Sequence, residues 1–352
     1  MRTTVGLLML LAAVGTLVPS SAEAKSGKPG LIYYIAPNGK DDNGDGSKER
    51  PFATIARVQR SIRQLKTNHE LPKGEIVVLI RGGTYPMAPG LAFDEYDSGE
   101  PRAPITWRSY PGERPVFDGG WRVPPLKPVT DRGVLARLPA EARAKVRCCN
   151  VRAAGYAHVE RPPAFDREYG SLRESITDLY ADGVRLDPAR YPDDGQALEA
   201  LDGPGKWHID PKSGMLYVWP PKGCRELVLS EFTGTFLDIR DLHDVRFGGL
   251  TFQYGRLDAI VMRGCKNVRF SKNVIRGFGR NALTAVRSDG VNVTGNEFAY
   301  FGVRGILVTA GFAESGAPVG NVVDGNEVRC VGCRVPKESG EGEASASSGD
   351  ML

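Results

Sequence analysis

Between Phe236 and Val331 the chain repeats itself at a fixed step, and few folds accommodate that. Val245, Val268 and Val291 are 23 residues apart, as are Phe247, Phe270 and Val293, and Phe252, Ile275 and Phe298. Ala259-Ile260, Ala282-Leu283 and Gly305-Ile306 keep the same interval, and Phe236-Leu237 stands one step upstream of them. A fourth copy places Val323, Asn326 and Val328 30 residues after Val293, Asn296 and Phe298, with "GFAESGAP" supplying the excess. A period of this length marks a solenoid, in which each short unit buries its apolar face only by stacking on its neighbours. The leucine-rich repeat shares the period, but its L-x-x-L-x-L frame is not sustained. Val, Ile and Phe alternate here on several short segments per repeat, which fits a parallel β-helix. Stacked about 4.8 Å apart, Asn273, Asn296 and Asn326 would form a ladder at one corner, where Asn also tolerates unusual backbone angles. Phe278, Phe301 and Val331 would stack beside it, with Gly279, Gly302 and Gly332 turning a tight corner.

Composition agrees with a mostly β chain. Gly (43) and Pro (25) make up about a fifth of the 352 residues, favouring turns and short strands over long helices, while 41% hydrophobic content permits a sizeable core. The net charge of +4 is spread among interspersed acids, unlike the basic runs of a nucleic-acid binder. At the N-terminus, Arg2, an apolar run from Val5 to Val18, and Ala22-Glu23-Ala24 read as a signal peptide over 1–24, with the mature chain starting near Lys25. That run is shorter than the roughly 20 residues a bilayer span needs. The expected destination is the periplasm or the exterior, with no membrane partner after cleavage. Six cysteines, two of them adjacent (Cys148 and Cys149), do not make a disulfide scaffold. Cys330-x-x-Cys333 is one pair where a structural zinc site needs four ligands, so free thiols or a single disulfide are expected, and no metal or cofactor.

The organisation follows from these signals. Residues 25–74 form a lead-in and a capping helix. Asp41-x-Asn43-x-Asp45-Gly46 imitates the start of an EF-hand, but Phe52 stands at the twelfth position, where a calcium loop needs Glu, so this is a polar turn-rich segment. Ile55, Val58, Ile62 and Leu65 then give a helix from about Ala53 to Leu65 a narrow apolar stripe, suited to a lid. Residues 75–120, opening with "EIVVLIRGGTY", read as the first coils. Residues 121–222 read as an inserted β-rich subdomain of hairpins, 223–333 as the main coils, and 334–352, nearly devoid of apolar side chains, as a disordered tail.

Taken in order, "PNGKDDNGDGSKERPFATI", "VVLIRGGTY", "PITWRSYPGERPVFDGG", "DLYADGVRLDPARYP" and "HIDPKSGMLYVWPP", followed by the coils, resemble secreted right-handed parallel β-helix proteins of the pectate-lyase-like superfamily. More narrowly they are similar to its glycoside hydrolase branch, which contains α-L-fucosidases and xylanases. The resemblance runs from Tyr33 to Gly332 and implies an all-β solenoid acting on, or binding, a polysaccharide or oligosaccharide. It does not choose a chemistry, since this fold carries lyases, hydrolases, epimerases and non-catalytic adhesins. Members usually continue through further coils and tend to place their catalytic acids there. The resemblance therefore implies a chain that stops inside its own solenoid and shows little glycosidase activity by itself.

If hydrolysis resides in this portion, it needs two carboxyl groups, about 5 Å apart for retention or roughly 6.5 to 9.5 Å for inversion. Glu297 and Glu327, each directly after a ladder asparagine, are the carboxylates in matching columns, and their mutual repulsion would favour a protonated acid beside a nucleophile. The plainer reading leaves both as solvated residues on an outer strand face. Asp258, Asn281 and Arg304 form a second polar column, able to bind sugar hydroxyls or simply to serve turns. His243 has no visible partner and takes no role. In a non-catalytic carbohydrate-binding or surface protein, exposed aromatics such as Trp207, Tyr217 and Trp219 would stack on sugar rings. Calcium-assisted lyase chemistry ranks below hydrolysis because no acid cluster for a metal is evident.

Overall fold

The computed structural model describes residues 29–158, 177–189, 197–310 and 320–331. The expected signal peptide (1–24), the tail (334–352), the "GFAESGAP" excess, Gly332 and Cys333 lie outside the described residues. No described helix is long and apolar enough to cross a membrane.

The 23-residue step is the register of three parallel sheets. Leu237–Arg240, His243–Gly248 and Thr251–Gly255 make the first repeat, and Ile260–Arg263, Lys266–Ser271 and Val274–Phe278 the second. Asn281–Val286, Asn292–Thr294 and Glu297–Phe301 make the third, and Arg304–Val308, Val322–Asp324 and Glu327–Val331 the fourth. Each repeat gives one strand to each sheet, so Val245 pairs with Val268, Phe252 with Ile275, and Phe298 with Val328. Earlier segments extend the same sheets: Leu31–Ile35, Ile76–Ile80 and Ile105–Ser109 the first, Gly83–Pro86 and Pro115–Asp118 the second, and Leu91–Phe93 the third. Inward residues from all three sheets share one core running from Ile35 to Phe301. Neighbouring rings stack along it, as Phe247 does on Phe270 with centroids 4.8 Å apart.

The asparagine ladder is present, buried at Asn273 and Asn296 and half-buried at Asn326. Asn273 Oδ1 accepts from the backbone N–H of Leu250 (3.0 Å), Asn296 Oδ1 from that of Asn273 (2.9 Å), and Asn326 Oδ1 from that of Asn296 (2.9 Å). The amide nitrogens of the three donate to the carbonyls of Phe247, Phe270 and Val293. Unusual backbone angles fall elsewhere than expected. The left-handed residue is the one before each asparagine, Lys272, Gly295 or Gly325, because the inward-turned amide needs its own backbone in line with the next coil. Likewise the turn beside the phenylalanine stack is left-handed at Tyr254, Gly277, Tyr300 and Cys330, two residues ahead of the expected Gly279 and Gly302.

The helix expected to act as a cap runs Ile55–Thr67, with Thr54 as N-cap accepting from the Arg57 N–H at 3.1 Å. Ile55, Val58 and Ile62 are buried in the common core, while Leu65 is only half-buried. The EF-hand-like segment feeds this helix, as the Asp41 carboxylate accepts from the N–H groups of Ala53 and Thr54 and from the Thr54 hydroxyl.

The insertion contributes two further, largely antiparallel sheets. Gly120–Arg122, Leu179–Ala181, Val184–Arg185 and Leu227–Ser230 form one; Lys127–Pro128, Arg147–Asn150, Asp187–Pro188, Lys206–Ile209 and Met215–Val218 form the other. Leu227–Ser230, assigned to the later coils by sequence, pairs with Leu179–Ala181 and Gly120–Arg122. Trp207 (3% exposed) and Tyr217 (8% exposed) are core residues of this unit, which corrects their assignment as exposed sugar platforms. The cause is that both faces of their hairpin are covered: Trp207 Nε1 donates to the Leu186 carbonyl on one side, and Tyr217 packs among Leu138, Val146 and Leu201 on the other. Trp219 is half-buried against that second cluster. Cys148, Cys149, Cys224 and Cys265 carry free thiols.

Candidate functional site

The outer face of the second sheet is where the insertion meets the repeats. Strand alternation turns Phe252, Ile275 and Phe298 inward and aligns Asp118, Gln253, Arg276, Ala299 and Arg329 in one outward column. A parallel outward column holds Thr251, Val274, Glu297 and Glu327. The left-handed bulge at Tyr254 and Tyr300 breaks the alternation, so these rings also face out. Tyr254 meets Tyr180 of the insertion at a centroid distance of 4.8 Å, with Val228 and Tyr300 packed alongside. Gly277 occupies the equivalent position between the two tyrosines. A Cβ there would come within 3.1 Å of both the Tyr180 and Tyr254 rings, and the φ of +76° suits glycine.

Beyond that contact the hairpin turn at Asp182-Gly183-Val184 overhangs the sheet and leaves an open cleft of about 130 Å³. Its floor is Arg276, Glu297, Ala299 and Arg329, and Tyr300 forms one side. The Asp182 carboxylate is committed to the turn, accepting from the N–H groups of Arg225 and Glu226, both at 3.1 Å. Arg276 is held from behind. Its Nε and Nη2 donate to Gln253 Oε1 at 3.1 and 2.8 Å, and Gln253 Nε2 donates to the buried Asp118 carboxylate at 2.9 Å. Asp118 in turn takes two bonds from Arg122 on the insertion's first strand, at 2.9 and 2.8 Å. A continuous polar chain thus runs from the root of the insertion to the cleft, and no periodicity announced it.

Glu297 and Glu327 are in register on adjacent strands, and Glu297 lines the cleft. They do not face each other as two bare carboxylates. Arg329 Nη2 lies 3.2 Å from Glu297 and Arg329 Nε 2.9 Å from Glu327, whose side chain is the more exposed of the two. Asp258, Asn281 and Arg304 sit at the entry to the third sheet, and none lines the cleft. Asn281 donates to Asp258 Oδ1 through its side chain (2.6 Å) and its backbone (3.2 Å), so those two brace adjacent strands of the sheet, while Arg304 is exposed. His243 does have a partner, since its Nδ1 is 3.1 Å from Asp244 Oδ2. It borders a wider groove of about 690 Å³ beneath the end of the cap helix, beside Lys66, His69 and Arg102. Burial there pushes the Lys66 ammonium below its usual range, and its N–H groups donate to the carbonyls of Tyr96 and Ser98.

No protein-family model matches the chain, and no curated protein matches it. Among solved structures, a glycoside hydrolase is similar at a TM-score of 0.57 and 15% identity, covering 86% of this chain and 74% of that one. XylC in complex with xylose (TM-score 0.44, 11% identity) covers 77% of this chain, and pectate lyase Pel9A (0.37, 14%) covers 89%. The chain spans only 54% and 57% of those two proteins. The first likeness shows a shared, mostly β fold with parallel sheets; the other two add nothing to it.

Proposed function

We propose that this is an exported, carbohydrate-active protein, a right-handed parallel β-helix whose cleft over Glu297 holds part of a polysaccharide or oligosaccharide in a glycoside hydrolase-like arrangement. The observation that carries this reading is the cleft itself. Carboxylate, guanidinium and an aromatic ring converge there under an overhanging turn, matching a sugar's hydroxyls and its apolar C–H face. Glu297 and Glu327 stand one strand step apart, about 4.8 Å along the sheet, near the separation of about 5 Å that a retaining mechanism uses. The leader ending in Ala22-Glu23-Ala24 supports export.

Arg329 favours a second reading, glycan binding without hydrolysis. Its guanidinium bridges the two carboxyl groups, and this pairing favours the ionised form of both over the protonated acid that hydrolysis needs. The two readings separate in one experiment: binding and reducing-sugar release on xylan, pectin fragments and aryl fucosides, using folded, β-rich protein and its Glu297→Gln variant. Turnover abolished by the substitution supports hydrolysis. Binding without turnover, weakened by the substitution, supports the second reading, and no binding to any glycan defeats both.

A further inference from the structure

Most arginines near this cleft have an acid to answer them. Arg122 has Asp118, Arg225 has Asp182, and Arg329 has both glutamates. Arg276 differs: among the described residues it pairs with no carboxylate, although it is half-buried in the cleft floor. Among the described residues its hydrogen-bond acceptor is the neutral amide oxygen of Gln253. The acids nearby are already matched: Asp118 by Arg122 and the Gln253 amide nitrogen, Glu297 by Arg329, and Asp182 by Arg225 and the Glu226 N–H. Nε and Nη2 are thereby fixed, and Nη1 is left beneath the turn, 3.3 Å from where a Cβ on Gly183 would stand. Ala299 separates Arg276 from Arg329 and is small, so the floor dips between two guanidinium groups two strand steps, roughly 10 Å, apart.

A partly desolvated cation without a counterion is costly unless a ligand supplies one. The guanidinium fork also matches the oxygens of a carboxylate or sulfate better than it matches a hydroxyl. We infer that Arg276 reads an acidic group on the glycan, a uronate carboxylate or a sulfate ester, and that Gln253, tied to Asp118, positions it for that purpose. This rests on the reading of the cleft as a glycan site.

The test is calorimetric titration of the full chain with size-matched neutral, uronate-bearing and sulfated oligosaccharides at low and moderate salt. Acidic ligands should bind about tenfold or more tightly than neutral ones, with the margin shrinking as salt rises. The uronate and sulfate arms identify which anion is preferred. Arg276→Gln should weaken acidic ligands far more than neutral ones. Arg276→Lys should retain part of the preference, and Gln253→Met should reduce it while leaving the charge in place. Each variant is checked for unchanged circular dichroism and melting. Equal affinity for acidic and neutral ligands, or an Arg276→Gln that weakens both alike, overturns this inference and leaves the glycan cleft standing. Failure of every oligosaccharide to bind the folded protein overturns both.

Discussion

The stacked repeats and the inserted sheets both bury aliphatic and aromatic side chains, but they distribute their partners differently. In the repeats every strand residue meets the residue one step along, so Val245 meets Val268, and Asn273 bonds to Asn296. In the insertion the partners lie at unrelated separations: Tyr217 pairs with Cys148, Leu229 with Trp121, and Trp207 with Val218. A lesion in the first region acts on a column shared by all coils, whereas a lesion in the second acts on one closed local cluster. The cleft lies where these two kinds of order touch.

The largest expected effect is at the capped end of the column. Ile62 is 1% exposed and sits in the common core, so Ile62→Asp buries a charge with no partner and uncovers the first coil. A loss of at least ~4 kcal/mol, seen as aggregation and failed soluble expression, is expected. A soluble variant with an unchanged denaturation midpoint would remove the helix from its role as cap. Next comes Trp207→Ala, which empties a core position in the insertion and should cost about 3–5 kcal/mol. Hydrogen exchange should then quicken in Lys206–Ile209 and Met215–Val218 while Lys266–Ser271 keeps its protection. Joint loss of protection would show that the two regions unfold as one and that the contrast between them is only geometric.

Asn296→Ala should have a smaller but wider effect. It removes the acceptor for the Asn273 backbone N–H and the donor to the Phe270 carbonyl, both buried, for a loss of about 2–4 kcal/mol. Exchange should rise in the coils on both sides of the substitution and not in the insertion. A purely local response would mean that the ladder adds bonds without coupling the coils.

This contrast also explains what could be read from the chain. Periodicity placed Val245, Phe270, Phe298 and the three ladder asparagines correctly because one arithmetic step fixes both the partner and the face. It also brought Glu297 and Glu327 into one column. It could not show Arg329 between them, because a side chain bridging two strands leaves no mark at the repeat interval. Trp207 and Tyr217 were misread as exposed because alternation in a lone hairpin does not reveal that a second layer covers each face. Arg276, Gln253 and Asp118 went unnoticed since their types differ from coil to coil. The only available hint was that 253 and 276 share the 23-residue step with polar residues on strands otherwise judged by their apolar positions.

The smallest effect belongs to the junction. Glu231 follows the insertion's last strand, just before the chain rejoins the coils through the Phe232–Gly255 bridge, and its own N–H donates to Gly119. Burial raises its carboxyl above the ordinary value of 4.5. For an acid raised in this way, both folded and unfolded chains hold the proton at low pH, so the group contributes no difference there. As pH climbs past 4.5, the unfolded chain ionises first. Stability therefore falls until the folded carboxyl ionises too, and the penalty persists above that point. Glu231→Gln should accordingly leave the urea midpoint unchanged near about pH 4 and raise it near about pH 7, by less than ~1 kcal/mol because solvent reaches the group. A variant less stable than the parent at neutral pH would mean that the carboxylate answers a cation at the seam. The seam would then be an electrostatic contact and not, as the Tyr180–Tyr254 packing indicates, an apolar one.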